Sequence, residues 1–174
     1  FTGMLADMSN HRWSPTLGKG CLFDITCYPV NLARYLTGEE PSRVHAFADW
    51  HEPDVDCSTQ VSLRFPSGVL ATALGSFSCH GRQSAMVFGS EGWIEIEKPW
   101  IPGSDPTIVR LKSGEKEQAI DVPGADHFTE QIRHFTRCVR DAGEITPPAE
   151  DGVQNVTALE AAARSAREGV VVEM

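Results

Sequence analysis

The sequence contains no apolar run long enough to cross a membrane. Its longest weakly polar stretch, GVLATALGSF at residues 68–77, is about half the length a spanning helix needs and carries two glycines. No basic stripe is present either. With a formal net charge of -9 and an isoelectric point near 5.1, the chain lacks the clustered Lys and Arg that phosphate backbones require, which argues against a nucleic-acid surface. The cysteines, Cys21, Cys27, Cys57, Cys79 and Cys138, form an odd set without a CxxC pair, and the six histidines form no HxxxH pair. The cysteines read as buried small apolar residues in a reducing cytoplasm, with no metal site and no disulfide framework. A dinucleotide loop is also missing. The glycine pair around Lys19 runs directly into a helix and Gly89–Gly92 lies between two strands, so neither gives GxGxxG after a strand and before a helix.

What is there suits a folded domain. At 174 residues the chain can bury roughly 70% of its unfolded surface without disulfides or a structural metal. It opens at Phe1 with a strand-like FTGMLADM and no charged leader, and is expected to be a segment of something longer. Residues 20–37 have a helical pattern, with Leu22, Ile25, Leu32, Ala33 and Leu36 on one stripe and Gly38 as a stop. Asp24, Tyr28, Asn31 and Tyr35 fall on another. Pro29 offers no amide proton to the carbonyl of Ile25, so a bend or break is expected there, tipping Asp24 and Tyr28 outward.

From Ser42 to about Val122 short alternating segments replace the helical pattern. SRVHAFADW is one strand, VSLRF and VLATALGSF form a hairpin across Pro66-Ser67-Gly68, RQSAMVFG pairs with GWIEIE, and TIVRLK pairs with QAIDV. A helix through HFTEQIRHFTRCVRDAG places Phe128, Ile132, Phe135 and Val139 on one side. A second, with Thr146 as N-cap and Pro147 in its first turn, has Val153, Val156, Leu159, Ala163 and Ala166 as its inner stripe, and VVVE returns as a last short strand. This order implies an α+β fold: an open, mostly antiparallel sheet with helices packed on one face.

Several residues have two readings. A phenol can pass a proton to or from a substrate alcohol if a nearby cation lowers its pKa of about 10, and a carboxylate one turn away can accept a substrate hydroxyl or hold such a cation. Tyr28 and Asp24 have that spacing, though it equally suits a helix-end tyrosine beside a surface acid. Arg12 and Trp13 could make a cation and an aromatic wall for a polyol, or a surface arginine and a structural tryptophan. Lys19 is either a solvated helix-start lysine or one that reaches a ligand. His127 and His134 are either polar positions of an amphipathic helix or site residues.

The motifs in order carry a resemblance. Arg12-Trp13, then GKGCLFDITCYPVNLARYLTGEEP at residues 18–41, then GSEGWIEIEKPWIPG and the closing helices resemble the C-terminal domain of the glucose-fructose oxidoreductase, inositol dehydrogenase and MocA family. DITCY is similar to the branch that carries Tyr where other members carry His. The resemblance implies a substrate-binding and oligomerisation domain over residues 1–174, normally preceded by a Rossmann domain that holds NAD or NADP and supplies a catalytic lysine from a Glu-Lys-Pro motif. Glu97-Lys98-Pro99 follows a strand of the sheet and is read as a chance recurrence.

Carried over by position, Tyr28 matches the catalytic acid/base, Asp24 its carboxylate partner and Asn31 a polar residue one turn on, while Arg12, Lys19 and His127 stand as candidate substrate contacts. The implied activity is hydride transfer between a nicotinamide and a sugar, polyol or diol, absent from this segment alone, in a cytoplasmic homo-oligomer joined through the exposed sheet face. Lys19 and Thr26 stand where the family usually has glycine, and the Thr26 methyl and hydroxyl could narrow or retune the pocket. The rival is a non-catalytic binding or dimerisation module of the same fold, distinguished by whether a GxGxxG and a Glu-Lys-Pro precede Phe1 in the coding sequence.

Overall fold

The computed structural model describes residues 1–174. In chain order it has a 3-10 turn at His11–Trp13, a π-helical stretch Leu22–Thr26, α1 (Cys27–Thr37), β1 (Arg43–Glu52), β2 (Val55–Arg64), β3 (Leu70–Ser76), β4 (Ser84–Phe88), β5 (Gly92–Glu97), β6 (Thr107–Ser113), β7 (Lys116–Val122), α2 (His127–Asp141), α3 (Ala149–Glu168) and β8 (Val172–Glu173). The fold class is α+β, with every named strand paired antiparallel. The strands divide between two four-stranded sheets, ordered β3-β2-β1-β8 and β4-β5-β6-β7. Each sheet belongs to its own compact unit, Phe1–Arg82 with Ala149–Met174, and Gln83–Pro148.

In the first unit, alternation along the strands sets which residues face inward. Val44 and Ala46 of β1, Val61 and Leu63 of β2 and Ala73 of β3 are buried on one face, against Ala158, Leu159, Ala161, Ala162 and Ala163 of α3. The alanines let the helix axis approach the sheet closely. Ser165 fixes that approach, accepting the Ala46 N–H at 2.9 Å and donating to the Val170 carbonyl at 2.5 Å. The helix begins at Ala149 rather than at Pro147, so Thr146 is not its N-cap. Val153 and Val156, expected on its inner stripe, are exposed, whereas Leu159 and Ala163 are buried. Helical spacing defines a stripe but not how far along it the sheet extends.

The expected disturbance at Pro29 takes a specific form. Leu22–Thr26 winds as a π-helix that runs without a break into α1 at Cys27, so the wider winding lies in the turn before Pro29, whose ring removes the N–H that an α-helix would set against the Ile25 carbonyl. The start of the π stretch is held from outside. Asp56, only 2% exposed, accepts the Leu22 N–H at 2.9 Å through one carboxylate oxygen and at 3.1 Å through the other, and also accepts the Thr59 hydroxyl. Gly38 ends α1 in the left-handed conformation, as the sequence indicates.

In the second unit the two hairpins pair as read from the sequence, and Asp126 caps α2 by accepting the N–H groups of Phe128 and Thr129. Phe128, Ile132, Phe135 and Val139 do lie on one side of α2, but all four are exposed. No helix is long and apolar enough to cross a membrane.

Candidate functional site

Leu22, Ile25 and Thr26 of the helical segment are buried, whereas Asp24 and Tyr28 are partly exposed. Tyr28 is 41% exposed. Its ring packs at 5.7 Å against the Phe1 ring, tilted by 60°, and its hydroxyl makes no hydrogen bond within the chain. Partial burial pushes the phenol above its ordinary pKa, the charges of Cys27 and Asp24 add to that push, and Arg12 opposes it. Burial also pushes the neighbouring Cys27 thiol up to about 11.

Asp24 holds a cation. Arg12 Nε donates to its Oδ2 at 2.7 Å, and both side chains are partly exposed. Arg12 sits in the 3-10 turn capped by Asn10, whose Oδ1 accepts the Arg12 backbone N–H at 3.1 Å and lies 3.5 Å from Nη1. Asn10 is absent from the sequence-derived candidates, although an asparagine immediately before a short helical turn is a recognisable cap signal.

The other candidates are placed differently. Trp13 belongs to an apolar cluster with Phe77, Cys21 and Ile25, its ring 5.3 Å from that of Phe77 and edge-on to it. Asn31 donates to Asp151 Oδ2 at 3.0 Å, and Asp151 Oδ1 lies 3.0 Å from Arg34 Nη1. Arg34, 4% exposed, also makes a bidentate pair with Glu40 at 2.6 and 2.7 Å. Asn31 thus belongs to a polar seam joining α1 to α3. Lys19 adopts a positive φ of 56°, with its ammonium 3.9 Å from Glu160 and 5.3 Å from the centre of the Phe23 ring. Lys19 and Phe23 line a cavity of about 560 Å³ with Pro15, Asp54, Glu160, Ala163 and Arg167. His127 lies in the second unit at the start of α2, its ring 4.1 Å from that of Phe128.

Thr26 corrects an expectation. It is fully buried, and its hydroxyl lies 3.3 Å from the Cys21 carbonyl, to which it donates. It faces Gly75 of β3, so it does not narrow the open side where Tyr28 stands. No group of three or more His, Cys, Asp or Glu side chains is arranged to hold a metal ion.

The GFO/IDH/MocA C-terminal domain profile matches residues 2–95. The chain belongs to the GFO/IDH/MocA family. Among curated relatives it is 29% identical to the uncharacterized oxidoreductase ORF334 of Rhizobium meliloti, over 97% of this chain and 53% of the relative. It is 27% identical to the NADP(+) D-xylose 1-dehydrogenase of Haloarcula marismortui, over 90% of this chain and 44% of that enzyme. The aldose-aldose oxidoreductase of Caulobacter crescentus, solved with glycerol, superimposes with a TM-score of 0.87 at 30% identity, over 99% of this chain and 53% of that one. The chain therefore spans about half the length of these GFO/IDH/MocA relatives.

Proposed function

We propose that this chain is the substrate-binding and catalytic half of an NAD(P)-dependent oxidoreductase acting on a sugar, polyol or diol. The carrying observation is the partly exposed Tyr28 phenol, one turn from an Asp24 carboxylate whose charge acts on it and which is already tied to a cation. The names of the xylose dehydrogenase and the aldose-aldose oxidoreductase among its relatives support this substrate class.

The strands here pair antiparallel and make no strand–loop–helix cradle for a pyrophosphate. The residues present therefore fit the substrate side of a nicotinamide site, and the nucleotide would be held mainly by a preceding Rossmann domain. A bound nicotinamide supplies the hydride acceptor or donor. The Tyr28 oxygen takes the proton of the substrate hydroxyl during oxidation and returns it during reduction, while Asp24 orients that hydroxyl through its remaining acceptor capacity. Because burial raises the phenol within this chain, Tyr28 needs a further cation to work near neutral pH. A lysine from the partner domain would supply it.

The exposed face of the first sheet carries the proposed self-association. Phe47, Gln60 and Leu74 lie in register across β1, β2 and β3, with Phe47 and Leu74 exposed, on the face opposite α3. A monomer by light scattering at micromolar concentration removes that part of the reading. The catalytic part is tested by Tyr28→Phe in the chain joined to its nucleotide-binding half. Turnover is expected to fall by at least about a hundredfold with cofactor affinity unchanged, and unchanged turnover rejects it.

A further inference from the structure

We propose that Arg12 is a positioning residue of this site: its guanidinium holds the Asp24 carboxylate in place beside the Tyr28 phenol and balances its charge, and does not serve as a substrate contact. The proposal deepens the reading of Tyr28 as acid/base and rests on it.

Three observations carry it. The Nε–Oδ2 contact of 2.7 Å is a short charge-assisted hydrogen bond. The segment presenting Arg12 is tightly constructed: Asn10 accepts the Arg12 amide, the Gly20 N–H donates to the Arg12 carbonyl at 3.0 Å, and a Cβ on Gly18 would overlap the Arg12 Cα and come 2.6 Å from the His11 carbonyl oxygen. Trp13, the next residue, is anchored by ring contacts with Phe77 and His51. This mounting fixes the guanidinium where it meets the Asp24 carboxylate, as a residue that orients another side chain requires.

The charged and titratable groups around the phenol are Asp24 and Cys27 from its own helical segment and Arg12 from the 3-10 turn. Phe1 packs on the ring, and its amino group donates to the Leu74 carbonyl at 2.7 Å. Among Asp24, Cys27 and Arg12, it is Arg12 that favours the phenolate.

The test uses this 174-residue chain carrying Tyr35→Phe, which leaves Tyr28 as the sole tyrosine, and Cys27→Ala, which removes the neighbouring thiol. Ultraviolet titration of the phenol is expected to move to higher pH in Arg12→Gln, to lower pH in Asp24→Asn, and to stay near the parent in Arg12→Lys. A folded Arg12→Gln chain titrating with the parent overturns the proposal. Should Arg12→Gln not fold, an Asp24→Asn chain titrating with the parent overturns it instead. In the chain joined to its nucleotide-binding half, Arg12→Gln is expected to lower kcat about tenfold with KM within about twofold. A raised KM at unchanged kcat makes Arg12 a substrate contact and also overturns it. These results are separable from the acid/base reading, which fails only if Tyr28→Phe retains turnover.

Discussion

Gly75 of β3 lies so close to Thr26 of the π stretch that a Cβ added to it would overlap the Thr26 hydroxyl oxygen and stand 3.0 Å from the Cys21 sulfur. The resemblance to the family leads one to expect the small residue at position 26, on the helical side. In this chain the helical side carries a threonine and the sheet side carries the glycine. The contact needs one partner without a side chain, and in this chain that partner is Gly75.

Gly75→Ala is therefore expected to destabilise the chain by about 2–3 kcal/mol through overpacking, read from urea denaturation. Thr26→Ala removes the obstructing hydroxyl at a cost of about 1 kcal/mol for its hydrogen bond. Gly75→Ala introduced into that background should cost at least about 1 kcal/mol less than in the parent. Equal costs in both backgrounds refute the steric account.

The strands were legible because each carries its own alternation and turn chemistry: Pro66-Ser67-Gly68 closes β2 onto β3, and Gly38 ends α1. Asp24, Tyr28 and Pro29 likewise announce a disturbed helix. The division into two sheets was not legible, since strand pairing within hairpins is local and sheet membership is not. The role of Asp56 is not legible either. It stands in β2 like any polar strand residue, and only the fold turns it inward to meet the Leu22 N–H. Asn31 is the opposite case, placed by its stripe beside Tyr28 and found bonded to Asp151, 120 positions away.

Lys19 tests backbone strain. At φ 56° a non-glycine residue costs about 1 kcal/mol. Glycine relieves that but adds unfolded-state entropy of similar size, and the exposed Glu160 pair and the Phe23 contact contribute little. Lys19→Gly should leave thermal stability within about 0.5 kcal/mol of the parent, whereas Lys19→Val should lose roughly 1–2 kcal/mol. A Val variant as stable as the Gly variant contradicts the left-handed assignment.

Asp56 makes a pH prediction whose sign is opposite to that of a surface carboxylate. Burial is the largest influence on it and raises its folded pKa above the ordinary carboxylate value, despite the N–H and hydroxyl groups donated to it. The folded state therefore holds the proton over a pH range in which the unfolded chain has lost it, so stability falls as pH rises from the unfolded pKa to the folded one. Asp56→Asn keeps one acceptor for Leu22 and cannot ionise. Relative to the parent it should gain stability as pH is raised from the acid side through that window, measured by urea denaturation at several pH values. A stability difference constant across the range counts against a raised Asp56.

The seam between α1 and α3 separates structural from substrate roles for Asn31. Its Nδ2 donates to Asp151 Oδ2 at 3.0 Å, and the same carboxylate faces the buried Arg34 guanidinium. Asn31→Asp would set two carboxylates against each other and divide the one guanidinium between them, at a cost of about 1–2 kcal/mol in stability. Arg34→Met should cost more, about 3 kcal/mol, because it strands Glu40 and Asp151 beside an apolar side chain. If Asn31 acts only in this seam, Asn31→Ala in the chain joined to its nucleotide-binding half lowers the melting temperature and leaves KM unchanged. A KM several-fold higher at unchanged melting temperature would instead place the Asn31 amide against substrate.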